Sequence, residues 1–301
     1  MKKSMLADMS LFLITILWGS TFVLCKIVLE STGTFSFLAI RFFMAFAILA
    51  AIFWKRLMSA DKTTLKHGLI IGIVLFFAYA TQTLGIFYTT ASKAGFINGF
   101  SIVLVPVISA LIFKDSPKAE NIIGIVMAIA GLAFLTSGTA GAFSVNIGDI
   151  IVFISTFGYA LQILSVSHYS KLSDPIILSI IQVGVVSVLS AIFSLVFEVP
   201  AMPQGATVWT CIIIMAVFAT ALCFLVQNTM QKHTTPTRAA LIYLGEPVFS
   251  AFFAFIILGE VLSGQGVIGC MLIFAGMLVS ELEFVAYIKQ KINPLEYKKA
   301  S

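Results

Sequence analysis

Three ionisable residues lie inside otherwise apolar runs of this sequence: Lys26, Arg41 and Glu246. A charge in hydrocarbon is costly, so each points first to function. Glu246 sits near the middle of its run with Pro247 beside it, and a proline removes one backbone donor and loosens the local turn. A carboxyl in that place can exchange a proton, the requirement for proton coupling. It can equally serve structure, by accepting from freed backbone donors or a nearby hydroxyl. Arg41 carries a planar fork of donors that suits a carboxylate or phosphate, and an inter-helix salt bridge is its competing reading. Lys26, about one turn from the end of its run, reads as a vestibule cation or as a side chain that snorkels to the interface.

Around these, polar and aromatic residues recur at helical spacing on single faces. They are Trp18, Thr21 and Cys25; Tyr79, Gln82 and Thr83; Tyr159 and Gln162; Thr220, Phe224, Gln227 and Gln231; and Tyr243, Glu246 and Ser250. Such stripes predict a largely apolar cavity with a few hydrogen-bonding groups, suited to an amphipathic solute. The substrate-binding candidates are Trp18, Thr21, Arg41, Tyr79, Gln82, Tyr159, Gln162, Gln227, Tyr243 and Ser250, with Glu246 as the proton-coupling group and Lys26 in a vestibule. The same residue types also bond helix to helix, a use that competes for part of the list.

Enzyme chemistry finds little support. His67, His168 and His233 fall at the ends of different apolar runs, and neither H-E-x-x-H nor G-x-S-x-G occurs. An ATP-driven pump would need G-x-x-x-x-G-K-[ST], which is missing. Cys25, Cys211, Cys223 and Cys270 lie inside apolar runs without the spacing of a metal knuckle or a disulfide framework, and read as small apolar residues. No metal or cofactor is expected.

The elements that must position these residues follow from composition. Of 301 residues, 60% are hydrophobic and 10% charged, against about 45–50% and about 25% in soluble domains. That is too little polar surface for a soluble globule, which excludes a secreted domain and an ordinary cytosolic enzyme. The net charge of +5 is spread between the apolar runs, so nucleic acid is not an expected partner. A bilayer core takes about 20 apolar residues per helix, and ten spans result: 7–29, 34–54, 67–88, 93–113, 119–137, 148–168, 174–197, 207–230, 237–258 and 264–287. The runs do not alternate as barrel strands would. The first run starts basic but is too long for a signal peptide and is followed by further spans. With a cytoplasmic N-terminus, fifteen Lys and Arg fall on inner connections and only Lys93 on an outer one, which predicts both termini inside a cell (inner) membrane. The spacings Gly68-x-x-x-Gly72 and Gly95-x-x-x-Gly99 read as close helix packing.

The chain also repeats itself. At an offset of 145, Gln82 meets Gln227, Lys93 meets Arg238, Asp115 meets Glu260 and Ala130-Gly131 meets Ala275-Gly276. At an offset of 141, Asp8 meets Asp149, Trp18 meets Tyr159 and Arg41 meets Gln182. The halves, 1–140 and 141–301 with a short cytoplasmic tail, hold five spans each, so the second crosses in the opposite sense. An all-α membrane protein of ten helices in a five-plus-five inverted repeat is the expected fold, and inverted repeats mark transporters.

Trp18-Gly19-Ser20-Thr21-Phe22, Arg41, Leu244-Gly245-Glu246-Pro247-Val248-Phe249 and Leu258-Gly259-Glu260, within this repeat, resemble the EamA type of the drug/metabolite transporter superfamily. The likeness covers nearly the whole chain. In the first half Ser101-Ile102 stands where the second has Glu246-Pro247, and Lys114-Asp115 where it has Gly259-Glu260. The resemblance implies alternating-access transport, usually export, of amino acids, other metabolites or drugs, without nucleotide hydrolysis. A carrier for phosphate-bearing metabolites, using Lys26 and Arg41 as ligands, is the alternative; a channel also stays open, and an intramembrane enzyme is disfavoured by the absent motifs. The expected partners are the lipid bilayer and a small-molecule substrate, with the monomer as the functional unit.

Overall fold

The computed structural model describes residues 2–113, 119–137, 146–259 and 264–281. Lys114, Asp115, Lys118, Glu260 and the C-terminal basic cluster lie outside the described residues. The helices are α1 (Lys2–Leu29), α2 (Thr34–Ile52), α3 (Trp54–Met58), α4 (Lys62–Tyr88), α5 (Ala91–Asn98), α6 (Ser101–Phe113), α7 (Ala119–Ser137), α8 (Ile147–Tyr169), α9 (Pro175–Phe197), α10 (Ala206–Ile214), α11 (Cys223–Gln231), α12 (Pro236–Tyr243), α13 (Gly245–Leu258) and α14 (Gly264–Glu281), with a π-helical stretch, Met215–Leu222, joining α10 to α11. No strand occurs among the described residues.

Eight stretches are long and apolar enough to cross a membrane: Ser4–Leu29, Thr34–Ile52, Lys62–Tyr88, Ala91–Ile112, Ile147–Tyr169, Pro175–Phe197, Ala206–Gln231 and Pro236–Leu258. They coincide with eight of the ten spans expected from the sequence. The fifth and tenth expected spans fall on α7 and α14, whose apolar stretches Ile122–Gly131 and Val267–Gly276 are shorter. Large apolar side chains such as Phe43, Leu111, Leu195 and Phe255 are exposed on the outside of the bundle, the arrangement that suits hydrocarbon as solvent.

Helix ends are set by local chemistry. The Asp61 carboxylate accepts from the N–H groups of Thr63 and Thr64 at the start of α4, and Asn146 forms a reciprocal capping box with Asp149 at the start of α8. Asp174 caps α9, which begins on Pro175. Gly33 leaves α2 without a side-chain cap. Glu198, at the end of α9, supplies one from across the bundle by accepting from the N–H groups of Phe35 and Ser36, both at 2.9 Å.

Packing follows the register of the repeat. Helix α1 packs on α13 as α8 packs on α6; α5 packs on α8 and α13 as α12 packs on α1 and α6; α2 meets α9, and α7 meets α14. Each half is therefore enclosed largely by the other, and the core forms between them. Small residues permit the approach. A Cβ on Gly68 would stand 2.7 Å from Ile181, and one on Gly72 would stand 2.6 Å from Val185 Cβ, so the first of the two glycine spacings marks the α4–α9 contact. Gly72→Leu should force these helices apart at a cost of about 1–3 kcal/mol. Thermal unfolding of the detergent-solubilised variant checks this; an unchanged midpoint would contradict the tight contact.

Candidate functional site

Two spans are interrupted at equivalent points of the repeat. The fourth breaks between α5 and α6 at Gly99 and Phe100, and the ninth breaks between α12 and α13 at Leu244. At each break the chain turns through bonds three residues apart, Phe100 N–H to Ile97 carbonyl at 3.0 Å and Leu244 N–H to Leu241 carbonyl at 3.2 Å. Irregular backbone at membrane depth is tolerated where it lines a cavity, and both breaks do so.

The cavity is lined by residues of α1, α4, α5, α6, α8, α11, α12 and α13. Its lining comes in repeat-equivalent pairs. At an offset of 141 these are Trp18 with Tyr159, Thr21 with Gln162, and Phe22 with Ile163; at 145 they are Tyr79 with Phe224, Gln82 with Gln227, Asn98 with Tyr243, Ser101 with Glu246, and Ile102 with Pro247. A cavity lined this way draws its walls from both halves. Among these pairs only one differs in charge, the Glu246 carboxylate standing where the first half has the Ser101 hydroxyl.

Hydrogen bonds hold the lining in place. The Tyr159 hydroxyl donates to Gln82 Oε1 at 2.6 Å, joining the two halves. The side-chain amides of Gln162 and Gln227 each donate to the other's oxygen, at 3.0 and 3.2 Å. Tyr243 donates to Gln231 Oε1 at 2.9 Å, and Gln231 in turn donates to the Ile163 carbonyl and Ser167 Oγ, both at 2.7 Å. Trp18 donates its indole N–H to the Ala219 carbonyl at 2.9 Å and meets Tyr243 edge to face at 5.3 Å. Asn98 donates to Glu246 Oε2 at 3.2 Å, while its own Oδ1 is buried without a partner. Glu246 is half-buried in the first turn of α13, where the helix N-terminus favours negative charge. Removing the inter-half bond by Tyr159→Phe should strand the buried Gln82 acceptor at a cost of about 1–3 kcal/mol, read as a lower thermal midpoint.

The structure thus gathers nine of the expected residues around one cavity: Trp18, Thr21, Tyr79, Gln82, Tyr159, Gln162, Gln227, Tyr243 and Glu246. Three are placed elsewhere. The Lys26 ammonium caps the end of α4, donating to the carbonyls of Ile86, Phe87 and Thr89 at 3.0, 3.3 and 2.8 Å. Three donors meet three acceptors that the helix terminus leaves open. Arg41 is fully buried and does not line the cavity. Its Nε donates to Thr220 Oγ1 at 2.8 Å, Nη1 lies 3.9 Å from Cys25 Sγ, and the guanidinium carbon sits 5.3 to 5.9 Å from the ring centres of Tyr79, Phe42 and Phe37. It pairs with no carboxylate among the described residues, and its Nη2 is buried without a hydrogen-bond partner. Aromatic faces and one hydroxyl on the π-helical stretch hold the charge. Ser250 lies at the crossing of α5 and α13, with its Oγ 2.7 Å from where a Cβ on Gly95 would be.

Asn98, Ser101 and Ile102 are not among the expected binding residues, although each is the repeat partner of a residue in the Tyr243 to Pro247 segment.

These features define a class: a multi-pass helical membrane protein built on an internal repeat, with a polar and aromatic cavity where the halves meet. The chain belongs to the EamA-like transporter family, whose model matches residues 5–137 and again residues 146–282. It is therefore a transporter of the drug/metabolite transporter superfamily, with the family domain present twice. A transporter of Archaeoglobus fulgidus is 37% identical over 280 residues, covering 93% of this chain and 87% of the relative, and is itself described as uncharacterized. The uncharacterized transporter YyaM of Bacillus subtilis is 26% identical, covering 88% and 90%. A crystal structure with a TM-score of 0.75 covers 90% of this chain and 95% of its own at 20% identity, a likeness of fold.

Proposed function

We propose that this protein exports small amphipathic metabolites, such as amino acids or drug-like amines, by alternating access across the cell (inner) membrane. In this reading ten helices form a five-plus-five inverted repeat, both termini are cytoplasmic, the monomer is the functional unit and Glu246 is the proton-coupling group. The observation that carries it is the cavity lined by repeat-equivalent residues, since inverted-repeat transporters hold substrate at the repeat interface. The cavity has about 40 Å³ of water-accessible space, room for a few waters and far below the roughly 300 Å³ of a drug-sized site. Substrate therefore needs the two halves to move apart, and the residues of both halves to release it.

The lining supports the first of the two substrate readings. Its walls are aromatic and apolar, its polar groups are amides and hydroxyls, and its charge is the Glu246 carboxylate. Of the cations that a phosphate carrier would use, Lys26 is taken up by backbone carbonyls, and Arg41, bonded through Nε to Thr220 and with Nη2 buried without a partner, lies outside the cavity lining. An amine-bearing amphipath fits an unpartnered Asn98 acceptor beside a carboxylate, and a phosphate does not.

Counterflow in proteoliposomes tests the reading, with a pooled panel of labelled amino acids, amines and phosphorylated metabolites. Saturable counterflow of one amine-bearing class, insensitive to phosphorylated competitors, is expected. Competition by phosphorylated compounds alone would favour the alternative, and non-saturating flux would indicate a channel.

A further inference from the structure

Of the ion pairs that join the halves outside the cavity, two are related to one another by the repeat. Arg238 Nη2 lies 2.9 Å from Asp8 Oδ2, and Lys93 Nζ lies 3.6 Å from Asp149 Oδ2. The bases are equivalent at the offset of 145 and the acids at 141. Each pair takes its base from one half and its acid from the other, so the set is a single contact made twice.

The surrounding scaffold is repeated as well. Thr90 caps α5 by accepting from the Lys93 N–H at 3.2 Å, and Thr235 caps α12 by accepting from the Arg238 N–H, also at 3.2 Å. Each base therefore occupies the same place in the first turn of an eight-residue half-helix. At the far ends of those half-helices Asn98 and Tyr243 enter the cavity lining. An eight-residue helix is about 12 Å long, so each ion pair holds one end of a short rod whose other end forms part of the cavity wall. The acids are positioned too: Asp149 belongs to the α8 capping box and accepts from the Thr89 hydroxyl at 2.5 Å, and Asp8 accepts from the Ser4 hydroxyl at 3.3 Å.

We infer that Lys93–Asp149 and Arg238–Asp8 are the two gates of the transport cycle, one at each membrane face, and that their four residues position the half-helices that open and close the cavity. This rests on the alternating-access reading above, in which α5 descends from the outer face and α12 rises from the inner one. The acid side chains are 10% and 8% exposed and the bases 22% and 23%. Separating such a pair in a closed face would leave uncompensated, poorly hydrated charges. When that face opens, water solvates the separated partners. Each pair thus favours the closed form of its own face, and both are formed here, where the cavity is small.

The test is accessibility, which needs no identified substrate. Ser101→Cys places a reporter thiol on the cavity lining, and a membrane-impermeant maleimide is applied to the outer face in intact cells or to the inner face in inside-out vesicles. Labelling of the otherwise unaltered protein is subtracted for its native cysteines. Adding Lys93→Gln should raise reporter labelling about tenfold from the outer face only, and Arg238→Gln about tenfold from the inner face only. Both variants keep the backbone N–H that the threonine cap needs. Arg238→Asp combined with Asp8→Arg should restore closure. If a glutamine variant fails to fold, Asp149→Asn, which keeps a capping oxygen, and Asp8→Asn replace it. Restricted labelling that neither variant changes, or that both raise from the same face, would overturn the gates while leaving a carrier. Free labelling of the reporter from both faces before any gate is altered would instead overturn alternating access itself.

Discussion

Glu246→Gln should abolish the response of transport to a pH gradient while leaving substrate counterflow measurable. For one-to-one exchange of substrate against a proton, each unit of pH drives about tenfold accumulation, because one unit is about 1.36 kcal/mol. Substrate should run opposite to the proton flux in the native protein and merely equilibrate in the variant. Glutamine retains the shape of the side chain and an oxygen for the Asn98 amide, so the cavity stays closed around it, but it has no ionisable proton to carry. The repeat supplies a stricter check. Ser101 is the equivalent position and lines the same cavity, so Ser101→Glu in the Glu246→Gln background should return part of the pH response. A native-like response in Glu246→Gln alone would make the carboxylate structural.

The largest stability effect is expected at Arg41. It is first among the largest fully buried side chains, and it packs against three aromatic rings while its Nε bonds Thr220. Arg41→Ala should cost about 3 kcal/mol or more, the range for emptying a large core site, read as a strong drop in thermal midpoint. Arg41→Met, which fills the space and removes a buried charge, should be far milder or stabilising, since apolar replacement of buried charges often is. Arg41→Lys should behave worse than its charge suggests, because lysine has no planar fork to reach Thr220 and lie against the rings together. Arg41→Met should also leave substrate affinity within about threefold of native, a shift worth less than 1.4 kcal/mol. A tenfold loss of affinity in a stable Arg41→Met would mean that the guanidinium reaches the substrate after all.

Thr220 ties this arginine to the helix that carries it. Its hydroxyl accepts from Arg41 and donates to the Met215 carbonyl at 2.8 Å, five residues back, within the π-helical stretch. A wider turn of this kind often accompanies functional sites. Here it places Thr220 against a buried cation on α2 while Phe224 and Gln227, one and two turns further on, line the cavity.

Much of this molecule was legible in one dimension, and the reason is the solvent. In hydrocarbon every backbone group must bond within its own segment, so spans are continuous apolar helices whose bounds can be counted along the chain. Eight of them coincide with the structure, and the residues of α7 and α14 fall where the remaining two were expected. Duplication is likewise a property of the sequence, and it carries the cavity with it: offset alone pairs Trp18 with Tyr159 and Gln82 with Gln227. Glu246 stood out because a carboxylate beside proline in an apolar run has few inexpensive explanations.

Tertiary structure decided what the lone cations do and which charges meet. Lys26 became a helix cap because the carbonyls of α4 end beside α1, some 60 residues away along the chain. Arg41 found rings and a hydroxyl instead of a carboxylate because α2, α4 and the π-helical stretch converge on it. Asp8 and Arg238 are 230 positions apart, and they pair only because each half folds around the other. Apolar periodicity reports the local competition between backbone, side chain and lipid, so it is written along the chain. The partner of a buried charge depends on how two such halves interlock, which no single helix encodes.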